Sequence, residues 1–337
     1  MTLRSLTILL ALLAVLPGLA SAAGFAQVGI TATMWEDIFK GPRNAALGGA
    51  DLAGDTGPGA LLRNPAPLPG GDGIGGGYAQ STYTNEMDFD SWGASAEYRG
   101  WRLDFSRQSF TFEGIFRTAY DPDGEFRTWT DRVTLLGLSR DLGDLVFRGR
   151  DIRWTVGAVR RHHDGDPSSG TADTYDFGTS LCLPGVHPGG DFALKMTASR
   201  QNLTGETLDS DGREMPLPEA WRLGFTFATG FDHPRYARQP VRTSLSFARI
   251  MPDEPYGRAS NHFGLELLLL ELIAFRFGQD SGLQPDGLAW GLGMVLDRPR
   301  GLPLEVAADF CILDRDPDTL VDDFRMEMWG LRGKVFF

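Results

Sequence analysis

Positive charge is scarce in this chain of 337 residues: 32 Lys and Arg stand against 44 Asp and Glu, a formal net charge of −12. Nucleic acids select basic surfaces, so they are excluded as partners. Long apolar runs are missing beyond residue 23, the longest being LELLLLELIAF at 265–275, broken by Glu266 and Glu271. A membrane-spanning helix needs about 20 mostly apolar residues, so none is expected there. Histidine is sparse too. The five (His162, His163, His187, His233, His262) contain no i, i+4 pair and no H-E-x-x-H arrangement, so they read as polar residues, mostly in connections, and no metal site is expected. His262 falls inside a predicted strand, and no serine is marked as its partner.

Two further motifs fail on their surroundings. Gly71, Gly73 and Gly76 satisfy G-x-G-x-x-G, but a strand follows where a dinucleotide site needs a helix, and no cofactor is expected. Asp314, Asp316 and Asp318 have calcium-loop spacing, yet Thr319 and Arg325 stand where the loop needs Gly and a bidentate Glu. A solvated acidic loop is the better reading, and no catalytic group emerges.

What the chain does contain begins with a secretory signal. Arg4 gives a positive start, residues 6–16 an apolar stretch, and Ala20-Ser21-Ala22 a cleavage site, so 1–22 is read as a signal peptide. After it, glycine (43 residues) and aromatics recur along short segments bounded by Gly, Asp, Asn and Pro.

Those segments alternate with period two. Trp101, Leu103 and Phe105 oppose Arg102 and Asp104; Trp92, Ala94, Ala96 and Tyr98 oppose Gly93, Ser95 and Glu97; and Arg99-Gly100 joins the two as a tight hairpin. The same dyad recurs in Leu288, Trp290, Leu292 and Met294 and in Leu304, Val306, Ala308 and Phe310. Fourteen strands are predicted, at 73–84, 90–98, 101–112, 127–140, 151–162, 173–183, 191–202, 219–229, 240–250, 260–268, 271–279, 287–297, 302–311 and 324–337. A signal peptide, an even strand count, aromatic strand ends and alternating short and long connections fit an all-β fold, a transmembrane antiparallel barrel with lipid outside and a polar lumen.

Several placements follow from that map. The long connections, 203–218 among them, lie outside; Arg99-Gly100 and 298–301 face the periplasm; and 141–150 and 230–239 are long for inner turns. Cys182 falls near an inner strand end and Cys311 near an outer one. They should be separated by most of the apolar band of about 25 Å and so remain unpaired. Lumen charges such as Arg102, Arg222 and Arg276 against Glu97, Asp104, Asp176, Glu266 and Asp309 are expected to pair and brace the wall. On the last strand Trp329, Leu331, Val335 and Phe337 share one face, and the terminal Phe reads as the signal for the outer-membrane insertion machinery.

Residues 41–73 differ in character, being rich in Gly, Ala and Pro and free of dyads. Short helical turns are predicted at 42–50 and 59–68, and the segment 23–72 is read as a plug, followed by the barrel at 73–337.

The stretch Ala46-Leu47-Gly48-Gly49-Ala50, then Asn64-Pro65-Ala66, resembles the N-terminal region of the PorV/PorQ family and, more distantly, of the FadL family; Arg63 and Pro67 depart from the pattern. Gln201-Asn202-Leu203, Leu217-Pro218 and Arg222-Leu223-Gly224 resemble a second series in the same order. The resemblance implies a fourteen-stranded FadL-like outer-membrane barrel whose plug motif is Gly48, Gly49, Asn64, Pro65 and Ala66. On the PorV/PorQ side it implies a non-enzymatic barrel that accompanies secretion or holds a secreted or surface protein. On the FadL side it implies a transporter for a small hydrophobic ligand. Outer-membrane lipids and the insertion machinery are the remaining expected partners.

Overall fold

The computed structural model describes residues 41–54, 57, 60–84, 87–116, 125–148, 151–165, 170–187, 189–210, 213–231, 240–253, 259–281, 287–297, 302–315 and 324–337. The signal-peptide expectation, His233, Asp316, Asp318 and the turn 298–301 lie outside these residues.

A helix α1 (Pro42–Ala46) and a single 3-10 turn at Ala60–Leu62 precede the sheet. Then come β1 (Gly73–Thr84), β2 (Met87–Tyr98), β3 (Trp101–Phe116) and β4 (Glu125–Asp141), a short helix α2 (Gly143–Val146), β5 (Arg153–Asp164), β6 (Thr171–His187) and β7 (Gly190–Gln201). A small hairpin, β8 (Thr207–Ser210) and β9 (Arg213–Pro216), interrupts the series. It resumes with β10 (Ala220–Phe231), β11 (Val241–Pro252), β12 (Ser260–Leu269), β13 (Ile273–Ser281), β14 (Gly287–Asp297), β15 (Leu304–Arg315) and β16 (Phe324–Phe336). Fourteen of these strands pair antiparallel with their neighbours, and β1 closes on β16, from Gly73 opposite Phe336 to Thr82 opposite Glu327. Closure removes the two sheet edges that an open sheet of this length would have to protect.

The wall is tilted. Following register partners from Gly73 at the start of β1 leads through Glu97, Arg102, Ser139, Gly157, Gly178, Ser199, Arg222 and Ile250 to Ser260. A row that begins at one rim thus ends at the other, as closing a barrel requires.

Dyads set which face is which. On β14 Leu288, Trp290, Leu292 and Met294 are about half exposed while Ala289 between them is sealed, so the apolar side faces outward and small residues face the lumen. No helix among the described residues is long and apolar enough to cross a membrane.

The predicted strands are all present, but several run further toward the rim of the long connections. β3 reaches Phe116, β6 begins at Thr171 and β15 reaches Arg315. Backbone pairing continues where the outward apolar dyad stops, because the hydrogen-bond ladder needs no apolar face. The connection 203–218 was expected to be plain loop and instead carries the hairpin β8–β9. The long inner connection 141–150 contains α2. His162, His163 and His187, expected in connections, lie on β5 and β6. Cys182 and Cys311 are both free thiols.

Candidate functional site

Inside the barrel, residues 41–54 and 60–66 lie in the lumen against opposite parts of the wall. Pro42 opens α1 at a position where its missing N–H costs nothing. The helix stops at Gly48 and Gly49, whose φ angles of 62° and 82° lie in the left-handed region. Their N–H groups donate to Ala45 O (2.8 Å) and Asn44 O (2.7 Å). Asn64 organises the second half. Its amide donates to Leu52 O (2.9 Å), Ala66 O (3.2 Å) and Ser180 Oγ (3.0 Å), and its Oδ1 accepts the Ala66 N–H (2.9 Å).

The wall carries glycine where this segment touches it. A Cβ on Gly278 would strike Gly48 N, and one on Gly157 would strike Pro65 O. One on Gly264 would come within 2.7 Å of Leu47 O, and one on Gly291 within 2.5 Å of Ala46 Cβ. These inward glycines admit the inner backbone against the sheet. The five motif residues therefore sit in two groups, Gly48 and Gly49 toward β12–β13 and Asn64, Pro65 and Ala66 toward β5–β6, joined through the Asn64 bond to Leu52.

Polar wall side chains hold the segment from several strands. Arg161 Nη2 and Arg222 Nη1 both donate to Leu62 O, at 2.6 and 2.7 Å. Arg161 also pairs with Asp176 (2.5 Å), and Ser199 Oγ donates to Arg63 O (2.9 Å). His262 lies 2.6 Å from Gly48 O through Nδ1 and 2.8 Å from Ser260 Oγ through Nε2. A carbonyl can only accept, so Nδ1 carries a hydrogen. A serine partner thus exists, contrary to expectation, but both side chains are sealed from solvent, so the pair acts as a clasp.

Apolar side chains gather toward the rim of the long connections. There Phe89, Val133, Leu135, Leu313, Met326 and Met328 pack with Leu61 and Leu62 of the inner segment, and Phe110 leans on Phe89 with ring centroids 4.8 Å apart; the paired Arg161 and Asp176 border this cluster, Arg161 standing opposite Leu135 in register. Toward the rim of the short turns the walls carry further charges. Arg102 is held by Glu97 (2.8 Å) and Asp104 (2.7 Å), and Lys334 by Glu97 (2.8 Å). Arg276 bridges Glu266 (2.6 Å) and Asp309 (2.7 Å). Arg43 of α1 reaches Asp51 (2.7 Å) and Glu266 (3.2 Å). A cavity of about 330 Å³ opens among Arg43, Glu97, Arg102, Glu266, Arg276 and Lys334. The expected pairing of lumen charges is observed for Arg102, Arg276 and Lys334, while Arg222 serves a backbone carbonyl; Arg161, Arg43 and the buried Arg63 were not singled out from the sequence.

Asp51 lies in the inner segment. Burial raises the pKa of its carboxyl, but the charges of Arg43 and Lys195 outweigh that and hold it below the ordinary value of 3.8. Among the described residues no group of three or more His, Cys, Asp or Glu could hold a metal ion. Trp329, Leu331, Val335 and Phe337 all point outward and are about half exposed or more.

No family model and no curated protein matches the chain. Among solved structures it is similar to the Ralstonia pickettii toluene transporter TbuX, with 14% identity over 88% of this chain and 98% of that one and a TM-score of 0.47. It is similar also to the Pseudomonas putida toluene transporter TodX, with 12% identity over 88% and 96% and a TM-score of 0.42. The CymD monoaromatic hydrocarbon channel shares 10% identity over 89% and 98%, with a TM-score of 0.44.

Proposed function

We propose that this chain is a non-enzymatic outer-membrane barrel that takes up a small apolar molecule, with residues 23–72 acting as its plug. The observation that carries the reading is an apolar cluster beside the inner segment. It meets that segment at Leu61 and Leu62 toward the rim of the long connections, with the neutralised Arg161–Asp176 pair at its edge, and a charged cavity lies beyond it. An apolar ligand would partition into the cluster and be stopped at the cavity, because nothing in its surface repays the desolvation of paired charges. In the present state the cluster side chains are packed together, so entry requires Phe89 and Phe110 to part. In the same reading Trp329, Leu331, Val335 and Phe337 serve as the signal for insertion.

The secretion-partner reading that the PorV/PorQ resemblance implies would be supported by an exposed apolar patch on the outer loops. Among the described outer connections the large exposed apolar side chain is Leu203. Toluene, the compound named for two of the similar barrels, is a suitable probe. Proteoliposomes should take it up, and Phe89→Asp should slow uptake by about tenfold or more, since an unpaired charge among Phe89 and Phe110 excludes an apolar solute. Uptake equal to that of protein-free liposomes, with a secreted protein co-purifying stoichiometrically from native membranes, would overturn the reading.

A further inference from the structure

On the outward face of β3 and β4 four polar side chains make a square. Arg107 stands opposite Thr134, and Ser109 stands opposite Arg132. The two arginines therefore lie on one diagonal and the two hydroxyls on the other. Diagonal neighbours on one face of an antiparallel pair have Cβ atoms about 7–8 Å apart, close enough for both guanidinium groups to meet on one tetrahedral anion. Among the described residues neither arginine is tied to a carboxylate or another side chain, and both are exposed.

Height gives the square its meaning. Trp329, Tyr78 and Trp92 form an aromatic girdle: Tyr78 and Trp329 have ring centroids 5.3 Å apart, and Trp92 is the register partner of Tyr78. Arg107 is the next residue along that row, opposite Trp92. Inward of the square the same faces carry Leu103, Phe105, Leu136 and Leu138. The unpaired arginines thus begin where the apolar band ends, at the level of lipid headgroups.

The acidic neighbours differ in how they are occupied. Asp90 accepts the Tyr78 hydroxyl, and Asp173 takes Arg160 and His162. Asp164 stands opposite Arg132 in register without an ion pair to it.

We propose that Arg107, Ser109, Arg132 and Thr134 form a clamp for one phosphate of the phosphorylated glucosamine lipid that builds the outer leaflet of a bacterial outer membrane. Guanidinium forks match phosphate oxygens in paired hydrogen bonds, and hydroxyls donate to the oxygens that remain. The neighbouring Trp92 packs its ring at the same level, beside the start of the acyl chains.

The clamp rests on the outer-membrane reading, and the two are separable by experiment. The purified full-length protein in detergent is titrated with bisphosphorylated lipid A, with the dephosphorylated lipid and with inorganic phosphate, and bound lipid is counted by native mass spectrometry. Bisphosphorylated lipid A should bind, the dephosphorylated lipid at least tenfold more weakly, and inorganic phosphate only at far higher concentration. Arg107→Gln with Arg132→Gln should lower lipid affinity about tenfold or more, Asp164→Asn should raise it, and Arg325→Gln, at an exposed pair elsewhere on the wall, should leave it unchanged. Both clamp arginines are exposed, so the double variant should remain folded and heat-modifiable and should still take up toluene. Binding that is indifferent to the lipid phosphates or to the double change overturns the clamp, and phosphate that binds as tightly as the lipid overturns the lipid assignment. If fractionation places the protein outside the outer membrane, the proposed function falls; if it lies there and lipid binding survives the double change, only the clamp falls.

Discussion

Arg161 on β5 and Arg222 on β10 donate to the same oxygen, the carbonyl of Leu62, at 2.6 and 2.7 Å. The residues are 61 apart in sequence, and one backbone atom of the inner segment joins two distant stretches of wall. Both guanidinium groups are sealed from solvent. Hydrogen bonds from charged groups of this kind contribute about 1.5–3 kcal/mol each.

Removing either arginine should loosen the inner segment before it harms the barrel. Arg222→Leu is expected to cost about 1.5–3 kcal/mol of anchoring. Arg161→Leu should cost more, on the order of 3–5 kcal/mol, because it strands the buried Asp176 carboxylate that the arginine neutralises. Planar-bilayer conductance together with protease cleavage within 41–66 reads the effect. Equal conductance and equal protection in the wild type and both variants would show that the carbonyl contact does not hold the segment.

The inward glycines lead to a second expectation, one that runs against the usual rule. Gly→Ala in a strand is commonly neutral or favourable. At Gly278 the new methyl group would meet Gly48 N, and at Gly264 it would come 2.7 Å from Leu47 O. Gly278→Ala should therefore displace the inner segment and raise conductance, with heat-modifiable migration retained. Gly333→Ala, whose methyl group would find Glu305 O at an ordinary 3.5 Å, is the control. Normal conductance in Gly278→Ala would mean that the segment does not rest on β13.

Acid should release the segment only at low pH. The Asp51 carboxyl is held below its ordinary value of 3.8, with Arg43 as the main opposing charge. A depressed folded-state pKa contributes stability that is fully present above the unfolded-state value and is lost as pH falls through the lower one. The conductance of the wild type should hence be flat from neutral pH down to about pH 4 and rise below it. Asp51→Asn should give a higher conductance with a weaker dependence on acid. A wild-type transition near pH 6 would assign the anchoring to another group.

The legibility of this fold in its sequence follows from what each residue has to do. Wall strands such as β1 and β14 were bounded correctly because lipid on one side and lumen on the other impose a strict dyad from rim to rim. The hairpin β8–β9 left no such trace: its strands are four residues long, and no lipid constrains their faces. Parity explains the arginines. Arg160 and Arg161 are adjacent in sequence, yet one is exposed and pairs with Asp173 while its neighbour is sealed against Asp176. Only the strand register decides which of them serves the interior. The segment 41–66 could be recognised as different by its small residues, but its docking depends on single glycines of distant strands, which composition cannot match to one another.

The last expectation concerns which rim is which. β7 and β10 pair along their length and are joined at one rim by residues 202–219, which contain the hairpin β8–β9. β2 and β3 are joined at the other by Arg99 and Gly100. Both of these residues have positive φ, 49° and 76°, the two-residue turn whose twist matches its strands. The turn is also tied down: Asp72 Oδ1 accepts the Arg99 N–H at 2.8 Å, and Gly100 O accepts the Asp141 N–H at 2.8 Å. An epitope inserted between Arg99 and Gly100 breaks those bonds and the register of both strands, so assembled, heat-modifiable protein should fall sharply. The same epitope after Ser210 lies at the tip of a hairpin that carries no wall register, and extra chain there costs little. If the long-connection rim faces the medium, antibody should label the Ser210 insertion on intact cells. Labelling of assembled protein only after permeabilisation would reverse the orientation, turning the apolar cluster of the lumen toward the periplasm and removing the entry path for an external ligand.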